Sequence, residues 1–232
     1  MNIAVIPARG GSKRIPRKNI KEFCGKPMLA YAITAARQSG LFEHVVVSTD
    51  DDEIASIADF WGAEIPFERP IELAGDDVAT VPVIVHAIQA LSKSGWIFDR
   101  VCCIYPGVPL LTIEDLCGAL AQLQNNESDY CFPITEYPST IQRAMTISKS
   151  GQMRPLYPEF ELAKTQDADT AYYDAGQFYW GGTHAWLSNP KIHSNSTGYV
   201  IPNWRVIDID TPDDWKRAEL MHHVINQSVA SA

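Results

Sequence analysis

The chain has 232 residues, of which 46% are hydrophobic and 20% are charged, and it carries a formal net charge of -9. This composition supports one sizeable core, so we expect a single globular domain over residues 1–232 that is neither disordered nor fibrous. The acidic balance argues against a nucleic-acid partner or a membrane-surface role, because both normally require a broad positive face.

The sequence shows neither a targeting segment nor a membrane-spanning run. Met1 is followed directly by the strand-like "NIAVI", without the basic and long apolar regions of a secretory signal. The five cysteines lack C-x-x-C spacing, and most lie in apolar runs such as "VCCIYP", which is typical of reduced thiols in a core. We therefore expect a cytoplasmic protein.

Strand and helix patterns alternate along most of the chain. Apolar runs with the length and residue types of strands occupy residues 2–7, 44–48, 100–105 and 130–134. Helical patterns occupy residues 27–40, 51–62, 80–95 and 112–123, with Pro27 at a first helical position, Thr80 as a cap, and Thr112 and Asp115 as a near capping box. The alternation predicts an α/β fold with a Rossmann-like, mostly parallel sheet flanked by helices.

Residues 135–175 interrupt this alternation. The stretch "TISKSGQMRPLYP" predicts a short hairpin around Ser150 and Gly151, and the residues after it are polar. We interpret the segment as a small insertion that serves as a substrate lid or a dimer contact. Regular structure then returns with the strands "GQFYW" and "RVIDID" and with a last helix that begins at Thr211 and Pro212.

A loop rich in glycine and cations follows the first predicted strand. Residues 9–26 contain seven of the 19 lysines and arginines, and Glu22 is their only acid. In an open parallel sheet this loop is the usual phosphate site, and Gly10 and Gly11 allow backbone N–H groups to approach an anion closely. The loop matches neither the Walker A pattern nor G-x-G-x-x-G. It predicts a site for several phosphates, the alternative being an ordinary solvated loop.

Two aspartates, Asp208 and Asp210, alternate with isoleucines near the C-terminus. In a strand their side chains share one face, about 6.5 to 7 Å apart at Cα, which lets both carboxylates reach one hydrated divalent ion. Mg²⁺ prefers a few carboxylates together with water and phosphate oxygens. The pair therefore predicts a Mg²⁺ site, although Asp210 could instead flank the following helix while Asp208 is solvated.

Four motifs resemble those of the CMP-sialic acid synthetase family, the sugar-activating cytidylyltransferases. They are "IPARGGSKRIPRKN", "STDDDEIA", "ELAGDDVAT" and "DIDTPDDW", in the order and spacing of that family. The resemblance implies an enzyme that couples CTP to a nonulosonic acid with Mg²⁺ as cofactor, releases pyrophosphate and works as a homodimer. The segment "YYDAGQFYWG" is most similar to the pseudaminic acid branch, and "YPGVPLL" departs from the N-acylneuraminate pattern.

The resemblance also implies roles for individual residues. It assigns the triphosphate and ribose to Arg9, Lys13, Lys18 and Asn19, and the cytosine to Thr80 and to the backbone of Ala8 and Arg9. It assigns the metal to Asp208 and Asp210, and the sugar carboxylate and the phosphates to the sugar-binding residues Lys164 and Gln166. Gly10, Gly11 and Ser12 complete the nucleotide loop. The expected catalytic residues are Arg9, Lys18 and Asp210, with Asp210 or a metal-bound hydroxide as the base.

The segment Tyr172–Trp180 offers five aromatic side chains for an apolar methyl group of the sugar, together with Asp174 and Gln177 for its amide groups. Because Phe178 and Trp180 could equally be core residues of a strand, Asp174 and Gln177 are the preferred sugar contacts.

Three alternative functions stay open. The sugar could be an N-acylneuraminate or the eight-carbon acid KDO, although the opening loop differs from that usual in KDO enzymes. The chain could also be a nucleotide-binding subunit without catalytic activity, against which the presence of both the cationic loop and the two aspartates argues.

Overall fold

A mixed β-sheet forms the centre of the computed structural model, which describes residues 1–162, 164 and 168–230. Within these residues the strands are β1 (Asn2–Pro7), β2 (Glu22–Phe23), β3 (Lys26–Pro27), β4 (His44–Ser48), β5 (Arg100–Ile104), β6 (Tyr130–Glu136), β7 (Met145–Ile147), β8 (Met153–Pro155), β9 (Tyr172–Asp174), β10 (Phe178–Gly182) and β11 (Ser196–Val200). The helices are α1 (Met28–Gln38), α2 (Asp52–Phe60), α3 (Thr80–Lys93), α4 (Ile113–Asn125), α5 (Thr183–Ser188) and α6 (Pro212–Ala230).

The main sheet has the strand order β11-β6-β10-β5-β1-β4, and β9 pairs with β6 outside this row. Strand β1 is parallel to both β4 and β5, and β11 is parallel to β6. Strand β10 lies between β5 and β6 and is antiparallel to both. The mostly parallel, Rossmann-like α/β fold predicted from the sequence is confirmed, whereas the reversed direction of β10 was not predicted.

Both faces of the sheet are buried, which explains why its first strands are apolar without interruption. On one face Ile6 and Val47 belong to a cluster with the apolar sides of α1, α2 and α4. On the other face Val5 and Val46 belong to a cluster with α3 and α5. Because successive side chains of a strand point to opposite faces, a strand between two helix layers needs apolar residues at every position.

A third, smaller apolar cluster joins the two ends of the chain. Its buried members are Ile15, Phe23, Met28, Ile209, Trp215 and Ala218. They come from the loop after β1 and its strand β2, from the start of α1, from the segment that leads into α6 and from α6 itself. The cluster therefore fixes the cationic loop beside the pair of aspartates.

Two local predictions are wrong. Residues 206–210, predicted as part of a strand, pair with no strand of the described chain, although Ile207 and Ile209 still point into the third cluster. Thr80 does not cap α3, because Ala79 is the N-cap residue. The Thr80 hydroxyl instead forms a hydrogen bond with the Tyr105 hydroxyl, with 2.6 Å between the two oxygens. The capping box of α4 is confirmed.

The predicted hairpin in the insertion is confirmed. Strands β7 and β8 pair antiparallel, and Gly151 in the connecting turn has φ +82°, in the left-handed region that favours glycine. The insertion's use as a lid or a dimer contact stays a prediction, as does the single-domain organisation. Among the helices of the described residues, none has the length and apolar character needed to cross a bilayer.

An ion pair fastens α4 to the segment before the aspartates. The Arg205 guanidinium donates two hydrogen bonds to the buried carboxylate of Asp115, the second at 2.9 Å.

We expect Asp115→Ala to lower the free energy of unfolding by about 3 kcal/mol, because it leaves a largely buried guanidinium without its partner. Urea denaturation measures the change.

The matched control is Arg217→Ala, which removes an exposed ion pair with Asp214 at 3.9 Å. That substitution should cost less than about 1 kcal/mol. Equal losses for the two variants would contradict the expectation.

Candidate active site

The carboxyl ends of β1, β4 and β5 meet at one edge of the sheet. Pro7 is in register with Ser48, and Tyr105 follows the end of β5. The segments after these strands enclose a cavity of about 260 Å³, whose lining also includes residues from 69 to 83 and Asp210. This is the position at which open parallel sheets bind their ligands.

The start of the cationic loop is held by hydrogen bonds to its surroundings. The backbone N–H of Ala8 donates to the Ser48 carbonyl at 3.0 Å, and that of Gly10 donates to Asp50 Oδ1 at 3.2 Å. The buried Asn19 side chain donates to the Arg9 carbonyl at 2.9 Å. These bonds give the loop a defined path past the cavity.

Arg17 anchors the same loop from its outer side. Its guanidinium contacts Asp51 at 2.5 and 2.9 Å and Glu53 at 2.5 Å, both at the start of α2. The hydrogen bond from Arg17 lowers the pKa of the Asp51 carboxyl to about 2. Arg17 is thus used within the fold and does not line the cavity.

Four cations of the loop line the cavity, and each has a described carboxylate or carbonyl partner. Arg9 and Lys13 contact opposite oxygens of Asp76 at 2.8 and 2.5 Å. The hydrogen bond with Lys13 lowers the pKa of Asp76. These two cations present their charge to the opening, since a phosphate could replace Asp76 as their partner.

The other two cations contact the segment of paired aspartates. Arg14 lies 2.7 Å from Asp210 Oδ2, and Lys18 lies 3.6 Å from Asp210 Oδ1. The Lys18 ammonium also donates to the Ile209 carbonyl at 2.6 Å. The loop after β1 and the segment before α6 therefore form one wall of the cavity, in which the cations of the loop contact the Asp210 carboxylate.

Asp208 lies beside Asp210 with its side chain exposed. Partial desolvation by surrounding atoms, followed by the nearby Asp210 carboxylate, raises the pKa of Asp208. No group of three or more His, Cys, Asp or Glu side chains suited to a metal occurs in residues 1–162, 164 and 168–230. The pair thus supplies two carboxylates, and any further ligand would have to come from water or substrate.

The cavity lining also has a less polar part. Pro7, Leu73, Val78 and Val83 line it together with Arg69 and Thr80. Arg69 is buried, with Nε 3.1 Å from Ser48 Oγ and a second nitrogen that donates to the Ser48 carbonyl. Burial lowers the pKa of Arg69 to about 10.

The predicted nucleotide residues lie together. Those that line the cavity are Arg9, Ser12, Lys13, Lys18, Asn19, Thr80 and Asp210. Ala8 is buried beneath them, while Gly10 and Gly11 lie on the outer part of the loop. Their roles in binding stay predictions.

The predicted sugar residues are more dispersed. Gln177 is buried at the start of β10, where its backbone carbonyl accepts from Tyr105 N–H at 2.9 Å and its side chain donates to the Arg205 carbonyl at 3.1 Å. Asp174 lies at the end of β9 and is hydrogen bonded within the fold. Lys164 is exposed in the insertion, and Gln166 lies outside the described residues.

Sequence reasoning missed three charged residues of the cavity, Arg14, Arg69 and Asp76, as well as Tyr105. Arg14 and Asp76 lie within motifs that the resemblance uses, so their position carried a signal. Arg69 sits in "FERP", where a single arginine beside a glutamate looks like an exposed pair. Only the fold shows that its guanidinium turns inward.

Comparisons with known proteins agree with this arrangement. The family model described as cytidylyltransferase matches residues 3–187. The chain is similar to the pseudaminic acid cytidylyltransferase of Campylobacter jejuni subsp. jejuni serotype O:2, with 40% identity over 98% of both chains. It is also similar to the CMP-N,N'-diacetyllegionaminic acid synthase of Legionella pneumophila subsp. pneumophila, with 31% identity over 94% of both chains.

A solved structure of CMP:2-keto-3-deoxy-manno-octonic acid synthetase complexed with CTP shares the fold. Its TM-score is 0.68 at 15% identity, and the match covers 98% of this chain and 99% of that one.

The two glycines of the loop differ in their surroundings. A Cβ on Gly10 would lie 2.6 Å from Asp51 Oδ2, whereas a Cβ on Gly11 would meet no atom within 4 Å. We expect Gly10→Ala to lower the free energy of unfolding by about 1 to 3 kcal/mol, because Asp51 is held by Arg17 and cannot yield freely.

The matched variant Gly11→Ala should leave the free energy of unfolding unchanged to within about 0.5 kcal/mol. Chemical denaturation of both variants measures the difference. A destabilised Gly11→Ala protein beside an unaffected Gly10→Ala protein would show that the loop follows another path.

Proposed function

This chain belongs to the cytidylyltransferase family, and on that premise we propose that it transfers the cytidylyl group of CTP to a nonulosonic acid, specifically pseudaminic acid, with release of pyrophosphate. The observation that carries the proposal is the 40% identity, over 98% of both chains, to a pseudaminic acid cytidylyltransferase. The cavity supports it independently, because its lining combines four cations with apolar side chains.

The charges of the cavity orient the nucleotide. CTP carries about four negative charges on its phosphates, which favour a position beside Arg9, Lys13, Arg14 and Lys18. We propose that the base lies beside Thr80 and the less polar part of the lining, and that the α-phosphorus lies near Asp210.

The two aspartates fit a magnesium ion. Mg²⁺ is usually held by one or two carboxylates together with waters and substrate phosphate oxygens. Asp210 lines the cavity beside the proposed phosphate position, and the exposed Asp208, two residues before it, would supply a second carboxylate. When bound, the ion supplies Lewis-acid stabilisation of charge on the phosphate oxygens. Arg14 and Lys18 hold Asp210 in place for this use.

The reaction is a substitution at the α-phosphorus. The anomeric hydroxyl of the 2-keto sugar acid forms the new O–P bond, and the bond between the α-phosphorus and the bridging oxygen breaks in line with it. The hydroxyl proton passes to a base, for which we propose Asp210. Arg9 and Lys18 stabilise the charge that grows on the departing pyrophosphate.

For the sugar we propose the region of β9 and β10. Phe178 and Trp180 are fully buried in the sheet core, so they are core residues and not walls of the sugar pocket. Gln177 retains a buried side-chain oxygen without a hydrogen-bond partner in the described chain. Such an acceptor suits the N–H of an acylamino group, which pseudaminic acid carries at two positions.

The alternatives are not favoured. N-acylneuraminate and KDO enzymes share the chemistry, but the full-length similarity is to an enzyme named for pseudaminic acid. A subunit without catalytic activity is not favoured, since the cationic loop and Asp210 form one wall of the cavity.

We propose that the protein is a homodimer formed through the insertion, which has exposed apolar residues. The hairpin of β7 and β8 presents Met145, Ile147 and Met153 to solvent, and a hairpin alone is only marginally stable in water. We expect sedimentation to report about twice the chain mass of 25.8 kDa and Ile147→Lys to shift it toward one chain. A single-chain mass for the unaltered protein would contradict this.

We further propose that the enzyme acts in the cytoplasm, consistent with its five free cysteines.

Substitution of Asp210 tests the metal assignment and the mechanism. We expect Asp210→Asn to lower turnover by about a hundredfold or more, because a neutral amide is a poor ligand for Mg²⁺ and cannot take the proton. A coupled pyrophosphate assay at saturating Mg²⁺ measures it. The control Asp213→Asn alters an exposed acid three residues away and should leave turnover nearly unchanged. Near-normal turnover of Asp210→Asn would refute the assignment.

Competition between sugars tests the substrate. We expect kcat/KM for pseudaminic acid to exceed that for N-acetylneuraminic acid at least a hundredfold, because a site built to pair the second acylamino group rejects a sugar with a hydroxyl in its place. Gln177→Ala should narrow this ratio. Lys164→Ala should instead weaken both sugars alike, because we propose that Lys164 faces the carboxylate that they share. Equal efficiencies would overturn the choice of sugar and leave the cytidylyltransferase activity standing.

A further inference from the structure

The carboxylate of Asp76 bridges two cations of the cavity lining. Its Oδ1 lies 2.8 Å from an Arg9 guanidinium nitrogen, and its Oδ2 lies 2.5 Å from Lys13 Nζ. Arg9 and Lys13 belong to the loop after β1, whereas Asp76 belongs to the segment that leads into α3. All three residues line the cavity. The two cations proposed to meet phosphates therefore already share an anion from another part of the chain.

This bridge lies in contact with water. The side chain of Lys13 is 81% exposed, that of Asp76 is 39% exposed and that of Arg9 is 33% exposed. Exposed ion pairs contribute little free energy, because water solvates the separated charges well. An anion that makes stronger contacts with the same cations can therefore replace the carboxylate.

The two segments joined by the bridge are held unequally. The Asn19 side chain is buried and donates to the Arg9 carbonyl at 2.9 Å, which fixes the loop after β1. Residues 75–79 are mostly exposed, and their one backbone hydrogen bond among the described residues runs from Val78 N–H to the Gly75 carbonyl at 3.4 Å. Segments with few buried contacts and few hydrogen bonds rearrange at low cost in free energy. The segment that carries Asp76 is thus the one that yields.

A triphosphate is the stronger anion. It carries several negative charges where the carboxylate carries one, and it also reaches Arg14 and Lys18 in the same lining. Two anions on the same cations repel each other, so the phosphate and the carboxylate exclude one another. We propose that Asp76 is an internal competitor of the β- and γ-phosphates, which occupies Arg9 and Lys13 in the free protein, leaves them when CTP binds and returns as pyrophosphate departs. The inference rests on the proposed function, since it takes those phosphates to lie beside Arg9 and Lys13.

Binding of pyrophosphate tests the competition directly. We expect Asp76→Asn to bind pyrophosphate about fivefold more tightly than the unaltered protein, because the amide keeps the shape of the side chain and removes its charge. Calorimetric titration at fixed ionic strength measures the affinity, once in EDTA and once at saturating Mg²⁺. The gain should appear in both conditions, which separates competition from a contact between Asp76 and the metal. Weaker binding by the variant in either condition would overturn the inference.

The matched control is Asp77→Asn, which makes the same change of net charge one residue away. Asp77 is exposed and forms no ion pair within the part of the chain that the structure describes. Its substitution should alter the affinity for pyrophosphate less than about twofold, because water and salt screen charges that are not in contact. Equal gains in the two variants would show that overall charge, and not the bridge, sets the affinity.

A series of nucleotides gives a second readout. In the proposed placement the α-phosphate lies near Asp210, so the gain caused by Asp76→Asn should be absent for CMP, intermediate for CDP and largest for CTP. A disturbed loop would instead change the affinity for all three nucleotides alike, and that result would contradict the inference.

The proposed function and this inference fail in different ways. An unaltered protein that binds both CTP and pyrophosphate, beside an Asp76→Asn protein that binds them no more tightly, would overturn the inference alone. An unaltered protein that binds neither CTP nor pyrophosphate, with or without Mg²⁺, would overturn the proposed function and the inference with it.

Discussion

The site depends on one apolar contact between distant parts of the chain. Ile15 from the cationic loop meets Ile209 and Trp215 from the C-terminal segment within a buried cluster. Without that contact, mutual repulsion would spread the loop's cations, and the aspartates would have no fixed place beside them. Burial of a few apolar side chains thus holds charges in an arrangement that their own interactions, partly exposed to water, could not maintain.

The sheet supplies the second constraint, because the carboxyl ends of its parallel strands determine where the charged loops enter the cavity lining. The cations follow the carboxyl end of β1, whereas Arg69 is buried and bonded to Ser48 at the end of β4. A strongly acidic chain can therefore present a local positive surface. The molecule's overall charge of -9 says little about what this cavity binds.

The sequence predicted those features that depend on neighbouring residues. Strand β1, the hairpin around Gly151 and the capping box at Thr112 follow from local patterns, and each is present. It could not predict the reversed β10, because a strand's direction depends on the path between strands. The inward orientation of Arg69 was missed because it also depends on the path of the chain through the fold. Residues 206–210 were wrongly predicted as a strand, because burial against the third cluster produces the alternation of apolar and polar residues that is typical of a strand.

The place of β10 has a consequence for how the protein is made. Strands β5 and β6 succeed one another in the chain but are not neighbours, since β10 lies between them. On the ribosome, both strands would wait with unpaired edges until Phe178–Gly182 has emerged, and the aspartates follow only after a further segment. Unpaired strand edges invite association with other chains, so slow translation of this stretch would favour aggregation. A chain whose synthesis stopped before β10 would contain the cationic loop but not the C-terminal segment that packs against it.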